Sequence, residues 1–110
     1  MPFINISTSE KVEDKKKLLS EITILISSLT TKSKDFVMAK LEHNLDLYFG
    51  DEGPCCFLEI KSIGSIKPSE MVKPLCDFVY EKMGIPVDKI YIRFEDVSAS
   101  MWGWNSKTFG

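Results

Sequence analysis

The sequence predicts an α/β fold of the α+β type, in which a tandem βαβ repeat forms a four-stranded sheet with two helices on one face and short edge strands. Two segments with helical spacing of apolar residues alternate with short apolar strands. The two halves also resemble each other at an offset of about 54 residues, where residues 3–6 match 57–60 and 37–42 match 90–95. The length of 110 residues and the hydrophobic content of 44% suit one domain with its own core.

The first half contains a strand, a helix and a second strand. Apolar residues begin at once in Met1-Pro2-Phe3-Ile4-Asn5-Ile6 and predict a strand with Pro2 at its start. Ser7-Thr8-Ser9-Glu10 matches a capping box, and the apolar spacing after it predicts an amphipathic helix over about 9–29. After a polar break at 30–35, a strand is expected over about 36–41, and 45–49 is a candidate short edge strand.

The second half repeats this order after the turn signal Gly50-Asp51-Glu52-Gly53-Pro54. A strand is expected over about 55–62, and a helix over about 68–83 begins with proline and ends before Gly84. The expected buried stripe of that helix is Val72, Leu75, Cys76, Val79 and Met83. A fourth strand over about 89–95 alternates apolar and polar residues. We therefore expect one domain over 1–110, with pseudo-repeats at about 2–49 and 54–100 and an aromatic tail at 101–110.

The sheet face without helices is expected to need a partner. The segments 36–41 and 55–60 look apolar on both faces, so exposure of the second face to water is unfavourable and self-association is predicted. The aromatic tail has two interpretations. It either closes over the chain's own core, or it donates a short strand and an apolar wall to a neighbouring copy.

Composition argues against several classes of partner and site. A net charge of -2 and a pI of about 5.4 predict no binding to nucleic acid or anionic membrane, and Lys15-Lys16-Lys17 is a solvated helix face among acidic residues. Three cysteines without metal-ligand spacing and a single histidine, His43, predict no metal, no histidine-based triad and no cofactor. Without a signal peptide or a long apolar run, a cytoplasmic location is expected.

Pro2 is the candidate catalytic residue. If Met1 is removed, Pro2 carries a free secondary amine, and a terminal amine titrates near ~8, against ~10.4 for lysine. Such a group is easier to keep neutral as a base. The alternative is that Pro2 only starts an edge strand, and with Met1 retained its nitrogen is an amide that cannot act as a base.

Four motifs carry a resemblance to a known family: Pro2 after the initiator, Ser62-Ile63-Gly64, Val87-Asp88-Lys89-Ile90-Tyr91-Ile92, and Gly103-Trp104-Asn105-Ser106-Lys107-Thr108-Phe109. The chain resembles the macrophage migration inhibitory factor and D-dopachrome tautomerase family of the tautomerase superfamily, collinearly from Pro2 to Gly110. The resemblance implies a homotrimer with sites at subunit boundaries. It also implies an isomerase that moves a proton between carbon and oxygen of a small α-keto or enol acid such as phenylpyruvate, or of a dopachrome.

The resemblance also assigns roles to residues of this sequence. Pro2 would be the base, Lys32 would attract the substrate carboxylate, and the backbone N–H of Ile63 would contact the substrate. Tyr91 would come from the neighbouring copy. Apolar walls are expected from Phe3, Phe36, Trp102, Trp104 and Phe109. An apolar pocket and the Lys32 ammonium would together lower the pKa of the Pro2 amine by ~2 and leave it mostly neutral at pH 7.

Three positions depart from the family pattern. Arg93 replaces an asparagine that contacts the far end of an aromatic substrate, so this second cation would disfavour a neutral phenol or favour a second anionic group. Phe36 replaces a tyrosine. Cys55-Cys56-Phe57-Leu58 replaces a CxxC motif, so no thiol-oxidoreductase activity is expected. The alternative functions are a cytokine-like, receptor-binding trimer with a vestigial pocket, and a trimeric scaffold with a relict site.

Overall fold

The computed structural model describes residues 1–110 and contains a four-stranded mixed sheet. The strands, in the spatial order β2-β1-β3-β4, are β1 (Pro2–Thr8), β2 (Met38–Glu42), β3 (Cys56–Ser62) and β4 (Ile90–Asp96). β1 is parallel to β2, β3 is parallel to β4, and the central β1 and β3 are antiparallel. Each parallel pair is connected by one helix, α1 (Lys15–Thr30) or α2 (Pro68–Met83). The predicted fold class is therefore confirmed in its sheet and helices.

The second half follows its local signals closely. Pro68 occupies the first turn of α2, where its missing N–H is not needed by the helix. Gly84 ends the helix in the left-handed conformation, with φ 69°, and its N–H donates to the carbonyl of Tyr80. The bounds expected for this helix are confirmed because both signals act within the segment itself.

The predicted start of α1 is wrong by six residues. The helix begins at Lys15, and its cap is Asp14, whose carboxylate accepts from the N–H of Lys17 at 3.1 Å. The hydroxyls of the predicted capping box bind elsewhere, because Thr8 donates to the Cys55 carbonyl at 2.9 Å and Ser9 accepts from the Cys55 N–H at 3.1 Å. They hold the end of β1 to the start of β3.

The edge strand predicted at 45–49 is also wrong. This segment has no strand pairing and is held instead by isolated contacts. The Leu45 N–H donates to the Thr8 carbonyl at 3.1 Å, and the Lys89 ammonium donates to the Phe49 carbonyl at 2.9 Å. The second strand starts two residues later than expected, because residues 34–36 form a 3₁₀ turn.

The core lies between the helices and one face of the sheet. Even-numbered residues of β1 and β3 are buried against the helices, as the alternation of a strand requires. In α2 the buried residues are Met71, Leu75, Phe78 and Val79. The prediction for Val72 is wrong, since its side chain is 41% exposed. α2 presents the row that includes Met71 to the sheet, and Val72 is one residue, about 100°, further around the helix.

The open face of the sheet is more polar than expected. Lys40, Asn5, Glu59 and Arg93 lie side by side across the four strands. Apolar side chains on this face are concentrated toward its ends, as Phe3, Met38, Phe57 and Tyr91. The expectation that β2 and β3 are apolar on both faces is therefore wrong for the middle of the sheet. Neither α1 nor α2 has the length and apolar character needed to cross a membrane.

Candidate functional site

A cleft of about 520 Å³ opens at the beginning of β1. It is lined by Met1, Pro2, Phe3, Asp35, Phe36, Val37, Met38, Lys61, Trp102, Gly103 and Trp104. Seven of these residues are hydrophobic. The structure thus places Pro2 and four of the five predicted wall residues around one apolar cleft.

The sheet register places Pro2 at the floor of this cleft. β1 is a central strand, so its first residue is flanked by β2 on one side and by β3 on the other. Pro2 is paired with Ser62 of β3, while Phe3 is paired with Met38 of β2. Pro2 is buried, so it does not sit at an exposed edge of the sheet.

Aromatic side chains of the tail form one wall. The tail folds into a two-stranded hairpin of β5 (Gly103–Trp104) and β6 (Lys107–Thr108), closed by the Phe109 N–H donating to the Trp102 carbonyl at 3.1 Å. The Trp104 ring meets Phe36 edge-on at 5.7 Å and stacks on Phe109 at 6.0 Å. The tail therefore contacts its own chain, and 48% of Trp104 still remains exposed.

Lys32 acts on the amino terminus electrostatically. Burial and, secondarily, the Lys32 ammonium lower the pKa of the Met1 amine below its ordinary value. Thr31 ends α1 in the left-handed conformation with φ 56°, and the Ser27 hydroxyl donates to the Lys32 carbonyl at 2.5 Å. Lys32 follows this turn directly and is not among the residues that line the cleft.

Ile63 follows the last residue of β3 and is next to Ser62, the partner of Pro2. Gly64 then turns the chain with φ 70°, and its N–H donates to the Asp96 carboxylate at 2.9 Å. Ile63 thus lies at the same end of the sheet as Pro2, as its predicted role requires.

Tyr91 and Arg93 are not brought to this cleft within one chain. Their side chains are on the open face of the sheet, and Pro2 is in register with Asp96 through Ser62. Tyr91 is five positions from that end of β4, which corresponds to about 17 Å along the strand. It packs against Phe49 with ring centroids 4.2 Å apart, and Arg93 pairs with Glu95 at 3.2 Å.

Sequence reasoning missed several residues near the cleft. Asp35, Val37, Met38 and Lys61 line it, and Ser62 lies directly across from Pro2. Strand alternation alone could have assigned each of these residues to one face of the sheet. Their proximity to Pro2 depends on the pairing of β1 with both neighbouring strands. No three His, Cys, Asp or Glu side chains come together as a metal site.

Known proteins similar to this chain share one family name. The family model of macrophage migration inhibitory factor (MIF) matches residues 1–110. The MIF of Xenopus tropicalis is 33% identical over 96 residues, covering 84% of each chain. The MIF homolog of Trichinella spiralis is 31% identical over 114 residues, covering 99% of this chain and 100% of that protein.

Solved structures agree with these sequence matches. The MIF homologue from Prochlorococcus marinus superposes with a TM-score of 0.92 at 40% identity, covering 98% of this chain and 99% of that one. The MIF structure from Trichinella spiralis gives 0.91 at 29% identity, covering 97% and 99%. A match over the full length, by sequence and by fold, leads to one conclusion: the chain belongs to the macrophage migration inhibitory factor family.

Proposed function

We propose that this protein is a keto–enol tautomerase that uses Pro2, freed of Met1, as the general acid and base on a small α-keto acid such as phenylpyruvate. Membership of the MIF family supports an isomerase of the tautomerase superfamily or a cytokine-like function. The observation that carries the proposal is the buried start of β1 in an apolar cleft, where the charge of Lys32 also acts on the amino terminus.

The proposal requires a neutral amine at neutral pH. A terminal amine with a pKa near ~8 is only about 10% neutral at pH 7, and lowering that pKa by ~2 makes it about 90% neutral. Burial and Lys32 already lower the pKa of the Met1 amine. Removal of Met1 transfers the amine to the buried Pro2, where loss of water disfavours the charged form further.

In the proposed reaction, the Pro2 nitrogen takes a proton from the carbon next to the keto group, and the electron pair of that C–H bond moves into the enolate. The same nitrogen then delivers the proton to the enolate oxygen, which gives the enol, and the reverse sequence ketonises it. Lys32 binds the carboxylate, and its positive charge stabilises the enolate as it forms. The Ile63 N–H contacts the substrate, while Phe3, Phe36, Trp102, Trp104 and Phe109 surround its apolar part.

Assembly completes the proposed site. Tyr91 and Arg93 are too far from the cleft of their own chain, so they contribute to catalysis only if another copy supplies them. We propose a homotrimer, in which neighbouring copies cover the open face of each sheet. In this assembly each cleft lies against the part of a neighbour's β4 that carries Tyr91.

The experiment combines intact mass with kinetics. Protein with verified loss of Met1 is expected to ketonise enol-phenylpyruvate, whereas Pro2→Gly, which also loses Met1, should lose at least about 10²-fold in kcat/KM. Pro54→Gly in the exposed loop is the matched control and should retain activity. Equal turnover by the wild type and Pro2→Gly would contradict the proposal.

The second candidate is a cytokine-like, receptor-binding trimer with a vestigial pocket. The names of the matched relatives favour it, because they describe inhibition of macrophage migration. Covalent blocking of the Pro2 amine separates the two candidates: turnover should be lost if the tautomerase proposal is correct. Retained receptor binding after that treatment, together with no turnover before it, supports the second candidate.

A further inference from the structure

We propose that Asp96 is a positioning residue for the Ile63 backbone. It holds this part of the chain so that the Ile63 N–H points at the place of the Met1 carbonyl, where an oxygen of the substrate binds after Met1 is removed. This inference rests on the proposed function, in which the Ile63 N–H contacts the substrate. It adds the side chain that keeps this donor in place.

The direction of the Ile63 N–H follows from a bond at the end of β3. The Val97 N–H donates to the Ser62 carbonyl at 2.8 Å, so this carbonyl points toward β4. The Ser62 carbonyl and the Ile63 N–H belong to one planar trans peptide unit, in which C=O and N–H point in opposite directions. The Ile63 N–H therefore points away from β4 and toward β1, the other neighbour of β3.

The register identifies what this N–H faces on β1. Pro2 pairs with Ser62, so the next position of the same antiparallel register places Ile63 across from Met1. Pairs that exchange backbone hydrogen bonds alternate along such a ladder with pairs that do not. Ser62 directs its carbonyl to β4 and belongs to the second kind, so at the next position the Ile63 N–H faces the Met1 carbonyl. Loss of Met1 leaves this donor facing the space beside Pro2, in the cleft that both residues line.

Asp96 holds the chain on the other side of Ile63. Its carboxylate accepts the Gly64 N–H at 2.9 Å, and Gly64 has the left-handed φ of 70°. Hydrogen bonds to an ionised acceptor are stronger than those between neutral groups. Asp96 is also the only side chain that hydrogen-bonds residues 63–66. Ile63 is thus fixed from the end of β4 on both sides, by the Val97 N–H before it and by the Asp96 carboxylate after it.

These two bonds prepare the Ile63 N–H for a ligand. A donor that is already fixed in direction loses little freedom on binding, so more of the hydrogen-bond energy contributes to affinity. The bond from Val97 also polarises the shared amide, which makes the Ile63 N–H a better donor. The bound keto acid and the enolate both use this N–H, so loss of Asp96 should weaken substrate binding more than it slows the chemical step.

The kinetic test uses the full chain without Met1 and the variants Asp96→Ala, Asp96→Asn and Asp88→Ala. Asp96→Ala should raise KM for enol-phenylpyruvate about fivefold and leave kcat within about twofold. Asp96→Asn keeps an oxygen that can accept the Gly64 N–H, so it should restore most of the affinity. Asp88→Ala is the matched control, because Asp88 is an exposed carboxylate in the turn before the opposite end of β4, and it should change neither value. Asp96 is itself exposed, so its variants should fold.

A binding measurement makes the inference independent of turnover. In ¹⁵N-labelled protein without Met1, phenylpyruvate should shift the NMR signal of the Ile63 amide, with a Kd about fivefold weaker in Asp96→Ala. Protein that keeps Met1 should not show this shift, because the Met1 carbonyl occupies the place of the ligand.

Two results would overturn the inference: an Ile63 amide that does not respond to saturating phenylpyruvate, or the same Kd and KM in Asp96→Ala as in the wild type. Either result can occur while Pro2→Gly still loses its activity, so the proposed function would stand. Binding at Ile63 that depends on Asp96, without any turnover by the wild type, would support the inference and contradict the proposed function alone.

Discussion

The presence or absence of the peptide bond between Met1 and Pro2 decides which chemistry the Pro2 nitrogen can perform. Pro2 is buried at the start of a central strand and lines a cleft with aromatic side chains, and the Lys32 ammonium lowers the pKa of the adjacent Met1 amine. With Met1 attached, its nitrogen is an inert amide. Without Met1, the same surroundings act on an amine, where burial and positive charge both favour the neutral form.

Lys32→Ala should separate the two roles proposed for Lys32. Loss of the ammonium should raise KM for an α-keto acid about tenfold, since the carboxylate loses its ion partner. It should also raise the pKa of the catalytic amine, because a nearby positive charge disfavours protonation, so the acid limb of kcat/KM moves to higher pH. The control is Lys34→Ala, a lysine two residues further on. An acid limb that stays in place would remove Lys32 from the electrostatics of the site.

Arg93 should decide which substrates are accepted. On the open face Arg93 pairs only with Glu95, at 3.2 Å, and remains largely exposed. Arg93→Asn should increase kcat/KM for a phenol-bearing enol acid relative to one with a second carboxylate by about tenfold, because the cation that favours the second carboxylate is gone. Both substrates are measured on each variant. An unchanged ratio would mean that Arg93 does not reach the substrate.

At the level of elements, the first residue of one helix is set by local signals, and that of the other is set by tertiary contacts. α2 begins at Pro68, as its own sequence indicates, whereas α1 begins six residues after its expected start. Thr8 and Ser9 are good capping residues, but both bind Cys55 across the sheet. A pattern read along the chain cannot show that a distant carbonyl and N–H compete for the same hydroxyls.

Asp14→Ala tests the cap that the structure assigns. Loss of the bond from the Lys17 N–H to the Asp14 carboxylate should cost about 1 kcal/mol of unfolding free energy. Glu13→Ala is the control, because Glu13 is exposed and makes only a 3.9 Å ion pair, so its effect should stay within about 0.5 kcal/mol. Urea unfolding of both variants provides the measurement, and equal effects would contradict the assignment.

The Cys56 thiol on β3 should be unreactive in the folded protein. Burial, followed by the neighbouring Cys55 and Cys76, raises the pKa of Cys56 to about 12 from 9.0. Because the folded state holds this proton more tightly, its stabilising contribution is complete below pH 9 and declines as the pH rises toward 12. Unfolding free energy should therefore fall over that range, and less steeply in Cys56→Ala. Alkylation at pH 8 should modify Cys56 only after unfolding.

At the scale of the whole molecule, the open face of the sheet is the main surface that leaves apolar side chains exposed. Tyr91 is 64% exposed and Met38 is 68% exposed, so both leave large apolar areas in contact with water. The polar row of Lys40, Asn5, Glu59 and Arg93 crosses the middle of the face. Apolar residues near both ends of the face suit contacts to neighbouring copies.

Light scattering after size exclusion should give three times the subunit mass of 12.5 kDa. Tyr91→Glu should weaken this assembly, because it places a charge in the proposed contact, and it should reduce activity in parallel. Tyr80→Glu is the matched control: Tyr80 is comparably exposed but lies on α2, outside the open face. A monomer with full activity would contradict the shared site.

The order of strands and helices, the ends of α2 and the presence of an aromatic tail were determined by the sequence itself, since periodicity and turn residues act within a few positions. Family resemblance added Lys32 and Ile63 as candidate residues to Pro2, which the start of the chain had already indicated. The tertiary structure decided how strands are aligned, and alignment depends on contacts between residues far apart in the chain. It placed Pro2 opposite Ser62 and kept Tyr91 and Arg93 away from their own cleft.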